Sequence, residues 1–131
     1  MSLDELGLAE ALRLLVERAP SGGPVVRLVT DGAGSPAAAV EVAAYRIVQE
    51  ALTNVLRHSG AGACEVSVCA ENGSLVVSVA DDGRGTAPPG GRGAGLETMR
   101  ERAEELGGSL ELLPRADGGT LVRAVLPRNP S

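Results

Sequence analysis

The strongest constraint on this chain is a pair of short alternating runs, Glu65 to Ala70 and Leu75 to Ala80, joined through Asn72-Gly73. Apolar and polar residues alternating at period 2 mark half-buried strands, and Asn-Gly supplies the two positive φ angles of a tight hairpin turn. A second such pair, Ser109 to Leu113 and Thr120 to Leu126, flanks Asp117-Gly118-Gly119. Two hairpins commit the chain to a mainly antiparallel sheet, and one face of that sheet needs a cover. Three helical stretches can supply it. Leu8, Ala11, Leu12, Leu15 and Ala19 form one stripe, with Ser2 and Glu5 as a capping box. A long helix is expected from Pro36 to about His58, with Ser35 as its cap and Pro36 in its first turn. Leu96, Met99, Ala103 and Leu106 form the third stripe, ended by Gly107-Gly108. With a further strand at Val25 to Thr30, the order is helix, strand, helix, two strands, loop, helix, two strands. The expected class is therefore α/β, a two-layer sandwich with the helices on one face of the sheet.

One domain is all that 131 residues can hold, and 44% hydrophobic content gives it a core that is almost wholly aliphatic, since there is one Tyr and neither Phe nor Trp. A net charge of −5 argues against direct nucleic-acid binding, which needs a basic face. All twelve basic residues are Arg, and the absence of Lys excludes both a Walker A loop and Schiff-base chemistry on a lysine. Cys64 and Cys69, five apart in one strand, point to opposite faces and cannot pair with each other; two Cys and a single His give no familiar zinc spacing. Asp4, Glu5 and Glu10 charge the first helical stretch, unlike a secretory leader, and no apolar run reaches the roughly 18 residues of a membrane span, so a cytoplasmic location is expected.

Three constellations carry chemical content. On the long helix Arg46, Glu50, Asn54 and Arg57 share one face. Most such stripes are solvated polar faces, but an Asn oxygen can ligate a hard cation and a neighbouring Glu can orient water. Asp81-Asp82-Gly83-Arg84-Gly85 follows a strand directly; it reads either as a plain acidic turn or as an acceptor-only carboxylate set beside glycines that admit a ligand. Gly90-Gly91-Arg92-Gly93-Ala94-Gly95-Leu96 enters a helix, which suits a flexible linker or a phosphate at a helix N-terminus. The loop from Arg84 to Ala94 has almost no apolar side chain to bury, so it is expected to order only when phosphates reach the N–H groups near Gly93 and Gly95.

Each motif alone is weak; their order and spacing are specific. YRIVQEALTNVLRH (Tyr45 to His58), VADDGRG (Val79 to Gly85), GAGLETMRERAEELGG (Gly93 to Gly108) and GGTLVRAVLP (Gly118 to Pro127) resemble the N box, two glycine boxes and closing Gly-Thr of the ATP-binding domain of sensor histidine kinases. The resemblance covers about residues 24 to 127. The wording Gln49 to Asn54 is similar to the subgroup of nitrate, desaturase and heme-based sensors, whose partner response regulators carry a helix-turn-helix output domain.

That resemblance implies the Bergerat fold, a mixed, mostly antiparallel sheet with helices on one face, binding ATP and Mg²⁺. By similarity Asp81 accepts the adenine amino group, Gly83 and Gly85 let the backbone pass the base, and Thr120 lies beside the adenine pocket. Asn54 ligates Mg²⁺, Glu50 stands near the metal's water shell, and Arg57 and His58 stand near the phosphates. Gly93, Gly95 and Leu96 belong to the phosphate-facing glycine box. The implied activity is transfer of the ATP γ-phosphoryl group to a histidine on a separate dimerisation domain, with Glu50 and Asn54 as the catalytic pair; the full-length protein would be a homodimer and the isolated domain a monomer. The chain lacks a phosphoacceptor: its one His, His58, lies inside the N box. Residues 1–23 are expected to be a helix and linker from the missing acceptor domain, 24–127 the ATP-binding domain and 128–131 a tail, so the chain reads as a fragment. Two other readings stay open, a stand-alone serine kinase of the same superfamily, such as an anti-sigma factor, and an inactive nucleotide-binding module.

Overall fold

A computed structural model describes residues 7–20, 22–31, 36–59, 62–83, 93–116 and 118–129. The elements in chain order are α1 (Leu8–Glu17), β1 (Val25–Asp31), α2 (Ala38–Asn54), β2 (Ala63–Glu71), β3 (Ser74–Asp81), α3 (Gly93–Glu105), β4 (Ser109–Pro114) and β5 (Thr120–Pro127). They form one five-stranded sheet in the order β1-β2-β3-β5-β4. Both hairpins are antiparallel, and β3 and β5 pair antiparallel in the sheet centre. β1 and β2 run parallel, because α2 carries the chain back across the sheet between them. The expected mixed, mostly antiparallel sandwich is the one observed.

Asn72 and Gly73 take φ of 51° and 79°, the two positive angles of a type I′ turn, and so set the β2–β3 register from Glu71↔Ser74 to Cys64↔Asp81. That register sends Val66, Val68, Leu75, Val77 and Val79 to the helix side, where all are buried. On α2, Val40, Ala43, Ala44, Ile47, Val48, Ala51 and Leu52 repeat at helical spacing and are buried against them. Each fully buried Val, Leu or Ile contributes about 1.5–3 kcal/mol. The alanines among them let α2 lie close to the sheet without bulky aromatic fill. Gly107, at φ 84°, and Gly108 end α3 as expected: Gly108 N–H donates to Ala103 O (2.9 Å) and Gly107 N–H to Glu104 O (3.0 Å), the paired bonds of a Schellman cap. Cys64 and Cys69 are both unpaired, and burial, followed by the charge of Asp81, pushes the Cys64 thiol up to about 12.

The long helix departs from expectation at both ends. It begins at Ala38 rather than Pro36, because Ala37 N–H is drawn to Arg128 O at 2.9 Å while its own carbonyl starts the helix by accepting Val40 and Glu41 N–H. Its α-helical part ends at Asn54, and Val55–Ser59 continue as a π-helical turn. The capping Ser35, the Ser2–Glu5 box and the loop residues Arg84 to Arg92, Gly85 included, lie outside the described residues, as does the side chain of His58.

Candidate functional site

The functional cleft follows from where the strands end. β3 ends where β5 begins, with Asp81 register-paired to Thr120 on one flank and to Cys64 on the other. Both Asp81 and Thr120 point to the helix side, and among the described residues they are the two buried polar side chains, 5% and 6% exposed. A buried carboxylate without a purpose is costly. Here Asp81 Oδ1 accepts Gly83 N–H at 2.8 Å, closing a short turn that fixes the carboxylate's aim. The cleft that Asp81 and Thr120 face is walled by Val79 and Val122 from the sheet and by Ala51 and Asn54 from α2. Leu96 and Met99 of α3 close the far side. Apolar walls with one buried acid at the floor suit a flat ligand that offers a hydrogen-bond donor at one edge.

Asn54, the last residue of α2, stands at the polar end of this cleft. Glu50, one turn earlier, faces a neighbouring polar cavity of about 290 Å³ that it shares with Arg46 and Arg102. The start of α3 joins the two. A methyl group built on Gly95 would lie 3.4 Å from Asn54 Nδ2 and 3.6 Å from Glu50 Cδ, so this helix N-terminus arrives directly on the Glu50–Asn54 edge. The positive end of a helix dipole therefore sits where an anion would meet both side chains. Gly93 opens the same helix. A divalent ion bound largely through substrate oxygens and water needs few protein ligands, and Asn54 with Glu50 fits that requirement. No group of three or more His, Cys, Asp or Glu side chains placed to hold a metal ion stands among the described residues.

Of the residues expected from the sequence, Asn54, Asp81, Leu96 and Thr120 line one cleft, Gly83 and Gly95 touch its edges, and Glu50 lies in the adjoining cavity. Arg57 is exposed and is not among the cleft's lining residues. Arg57 lies on the π-helical turn that follows α2.

Two participants were not legible in the sequence. Asp82 Oδ1 accepts Gly62 N–H (2.9 Å) and Ala63 N–H (3.0 Å), tying the end of β3 to the start of β2. These bonds, Ala63 first, hold its carboxyl below the usual carboxylate range. A depressed folded value stabilises the fold at neutral pH, and that stability drains as pH falls from the unfolded value near 3.9 through the folded one. Urea midpoints of the wild type and Asp82→Asn are expected to converge on acidification below about pH 4; curves that stay parallel down to acid unfolding would contradict this. The second is Arg115, whose Nη1 donates to the main-chain O of Asp81 at 2.9 Å.

A sheet covered on one face by helices, with a buried acid in the groove between the layers, defines the class: a two-layer α/β sandwich with its cleft between the layers. The chain belongs to the family of histidine kinase-, DNA gyrase B- and HSP90-like ATPases, whose model matches residues 39–130. It is 34% identical over 134 residues to the sensor histidine kinase MctS of Rhizobium johnstonii, covering 97% of this chain and 29% of MctS. It is 42% identical over 79 residues to the sensor histidine kinase LnrJ of Bacillus subtilis, covering 60% of this chain and 20% of LnrJ. The chain thus spans less than a third of the length of these relatives. The solved catalytic domain of histidine kinase ThkA superposes with a TM-score of 0.68 at 16% identity, covering 100% of this chain and 97% of that one. ShkA, solved full-length in complex with AMPPNP, gives 0.68 at 20% identity over 100% of this chain and 31% of its own. Both structures carry the fold alone. Within the family, the chain is a histidine-kinase-type catalytic ATP-binding domain.

Proposed function

We propose that this domain binds Mg-ATP in the α2–α3 cleft and donates the γ-phosphoryl group to a histidine on the dimerisation domain of the same kinase, which passes it to a response regulator. The observation that carries this reading is Asp81, buried, facing the cleft and oriented by Gly83 N–H. A carboxylate is an acceptor only, so it pairs with the amino group of adenine and rejects the carbonyl of guanine. Thr120, beside it in the sheet, supplies a hydroxyl at the same edge of the base. Val79, Val122, Leu96 and Met99 sandwich the ring and exclude water.

Along the cleft the phosphates meet the N–H groups at the start of α3, from Gly93 and Gly95. Asn54 would hold Mg²⁺, with Glu50 in its water shell; when bound, the ion supplies charge neutralisation for the phosphates. Arg57 and His58, on the π-helical turn, serve the phosphate end, and Gly85 the passage of the base. Catalysis then rests on positioning. The bond from γ-phosphorus to the ADP oxygen breaks as one forms to the acceptor imidazole nitrogen, and Glu50 orients the incoming group.

The full-length kinase is a homodimer through its acceptor helices, with residues 1–23 as the joining segment, 24–127 as the ATP-binding domain and 128–131 as a tail. Its response regulator has a helix-turn-helix output, in keeping with the wording of the N box. No helix among the described residues is long and apolar enough to cross a membrane, and the proposed location of the domain is cytoplasmic.

Labelled ATP tests the reading. The domain alone is expected to take up no label, and adding a histidine-bearing helix-pair domain should give label that is lost in acid and kept in alkali. Acid-stable label on a partner protein would instead favour the serine-kinase reading.

A further inference from the structure

Asp81 is the last residue of β3, and the chain leaves the sheet at once toward Gly83. Strand ends open more readily than strand centres. An acceptor that selects a base must nevertheless hold its place to within about 0.5 Å. The β4–β5 connection supplies the restraint. Arg115 Nη1 reaches across to donate to Asp81 O at 2.9 Å. Gly119 abuts the same carbonyl so closely that a Cβ there would fall 1.8 Å from it. The hairpin itself is already closed by main-chain bonds, Arg115 N–H to Gly119 O (2.8 Å) and Gly118 N–H to Arg115 O (3.1 Å). The guanidinium lies outside that main-chain closure; it reaches Asp81 O, and its charge also bears on the Asp82 carboxylate. From the other side Gly83 N–H holds the carboxylate at 2.8 Å. Main chain and side chain of one residue are thus gripped by two different loops.

We propose that Arg115 is a positioning residue for base recognition: by holding the Asp81 carbonyl from the opposite hairpin, it fixes the aim of the Asp81 carboxylate and so sets discrimination in favour of a 6-amino purine. The proposal rests on the reading of Asp81 given above. A displaced carbonyl would let Asp81 swing with its turn and lengthen the bond to the amino group, with the phosphate end untouched.

Calorimetry with ATP and with inosine triphosphate, which differ at the 6-position, is the test, using wild type, Arg115→Met and Arg115→Lys. Methionine keeps much of the apolar stem and drops the guanidinium; lysine keeps a charged donor. Arg115→Met is expected to weaken ATP about tenfold, the weight of one hydrogen bond from a charged donor, and to leave inosine triphosphate unchanged. Arg115→Lys should recover most of the loss. Equal weakening of both nucleotides, or full discrimination retained in Arg115→Met, would overturn the proposal. Amide exchange without nucleotide reads the positioning separately. Exchange at Gly83 should quicken in Arg115→Met while Val77, in the middle of β3, stays unchanged. An unchanged Gly83 rate overturns the role of Arg115 even where ATP binds as proposed. A wild type blind to the 6-position overturns the Asp81 reading instead, and with it the recognition role.

Discussion

Asp81→Asn is expected to remove most ATP binding, raising the Kd roughly 30- to 150-fold, which corresponds to about 2–3 kcal/mol for a hydrogen bond to a charged group. The argument is one of donors and acceptors. In the wild type, Oδ1 is committed to Gly83 N–H, so the other carboxylate oxygen is the one available to the cleft. An asparagine in the same place keeps its carbonyl oxygen on Gly83 and turns its NH₂ to the ligand. Donor then faces donor at the adenine amino group, and the bond that the carboxylate accepts is lost. The fold should survive, because the variant also removes a buried charge. A thermal midpoint within a few degrees of wild type, together with lost binding in calorimetry, is the expected pair of results. Undiminished ATP binding in the variant would remove Asp81 from the site. The same logic predicts that wild type binds GTP far more weakly than ATP.

Much of the architecture could be read from the sequence, because its signals are local. Asn72-Gly73 determines a turn, that turn sets a register, and the register decides which valines face the helices. Gly107-Gly108 likewise ends α3 through bonds within one turn. What could not be read depends on partners distant in sequence. The parallel pairing of β1 with β2 needs the crossover of α2, and nothing within Val25 to Asp31 states its direction. Ser35-Pro36 is a sound start signal, yet the helix waits until Ala38 because Ala37 is held by Arg128, some ninety residues away in the chain. Likewise the π-helical turn after Asn54 has no compositional mark. Within the site, Asp81, Thr120 and Asn54 were legible as motif residues, whereas Pro114-Arg115-Ala116-Asp117 reads only as a turn. The function of Arg115 exists because β5 lies beside β3, a fact of tertiary pairing. Composition alone does not separate Asp81 from Asp82, and only the motif resemblance singles out Asp81. The structure divides the labour, with one carboxylate turned into the cleft and the other spent on Gly62 and Ala63.

The largest effect on stability is expected at Gly119, where one added methyl group meets only main chain. A Cβ there would lie 1.8 Å from Asp81 O, 2.8 Å from Asp81 C and 2.9 Å from Asp82 Cα. No side-chain rotation relieves such a contact; the end of β5 must move away from β3, opening the Asp81↔Thr120 pair. Overpacking of this kind costs about 3 kcal/mol or more. In a domain of this size that corresponds to a fall in thermal midpoint of about 10 °C for Gly119→Ala. The displaced carbonyl is the one Arg115 holds, so ATP affinity should fall as well, at temperatures where the variant is still folded. Gly62→Ala provides the contrast. Among the described residues its added methyl would meet nothing nearer than Asp82 Oδ2 at 3.9 Å, an ordinary contact, and its φ lies outside the left-handed region, so its stability should stay within about 0.5 kcal/mol of wild type. Two glycine-to-alanine changes at opposite flanks of Asp81 thus separate close backbone approach from glycine content. If both variants melt together near the wild-type temperature, the tight seam between β3 and β5 is not a feature of the molecule in solution, and the restraint on Asp81 comes from the hydrogen bonds of Arg115 and Gly83.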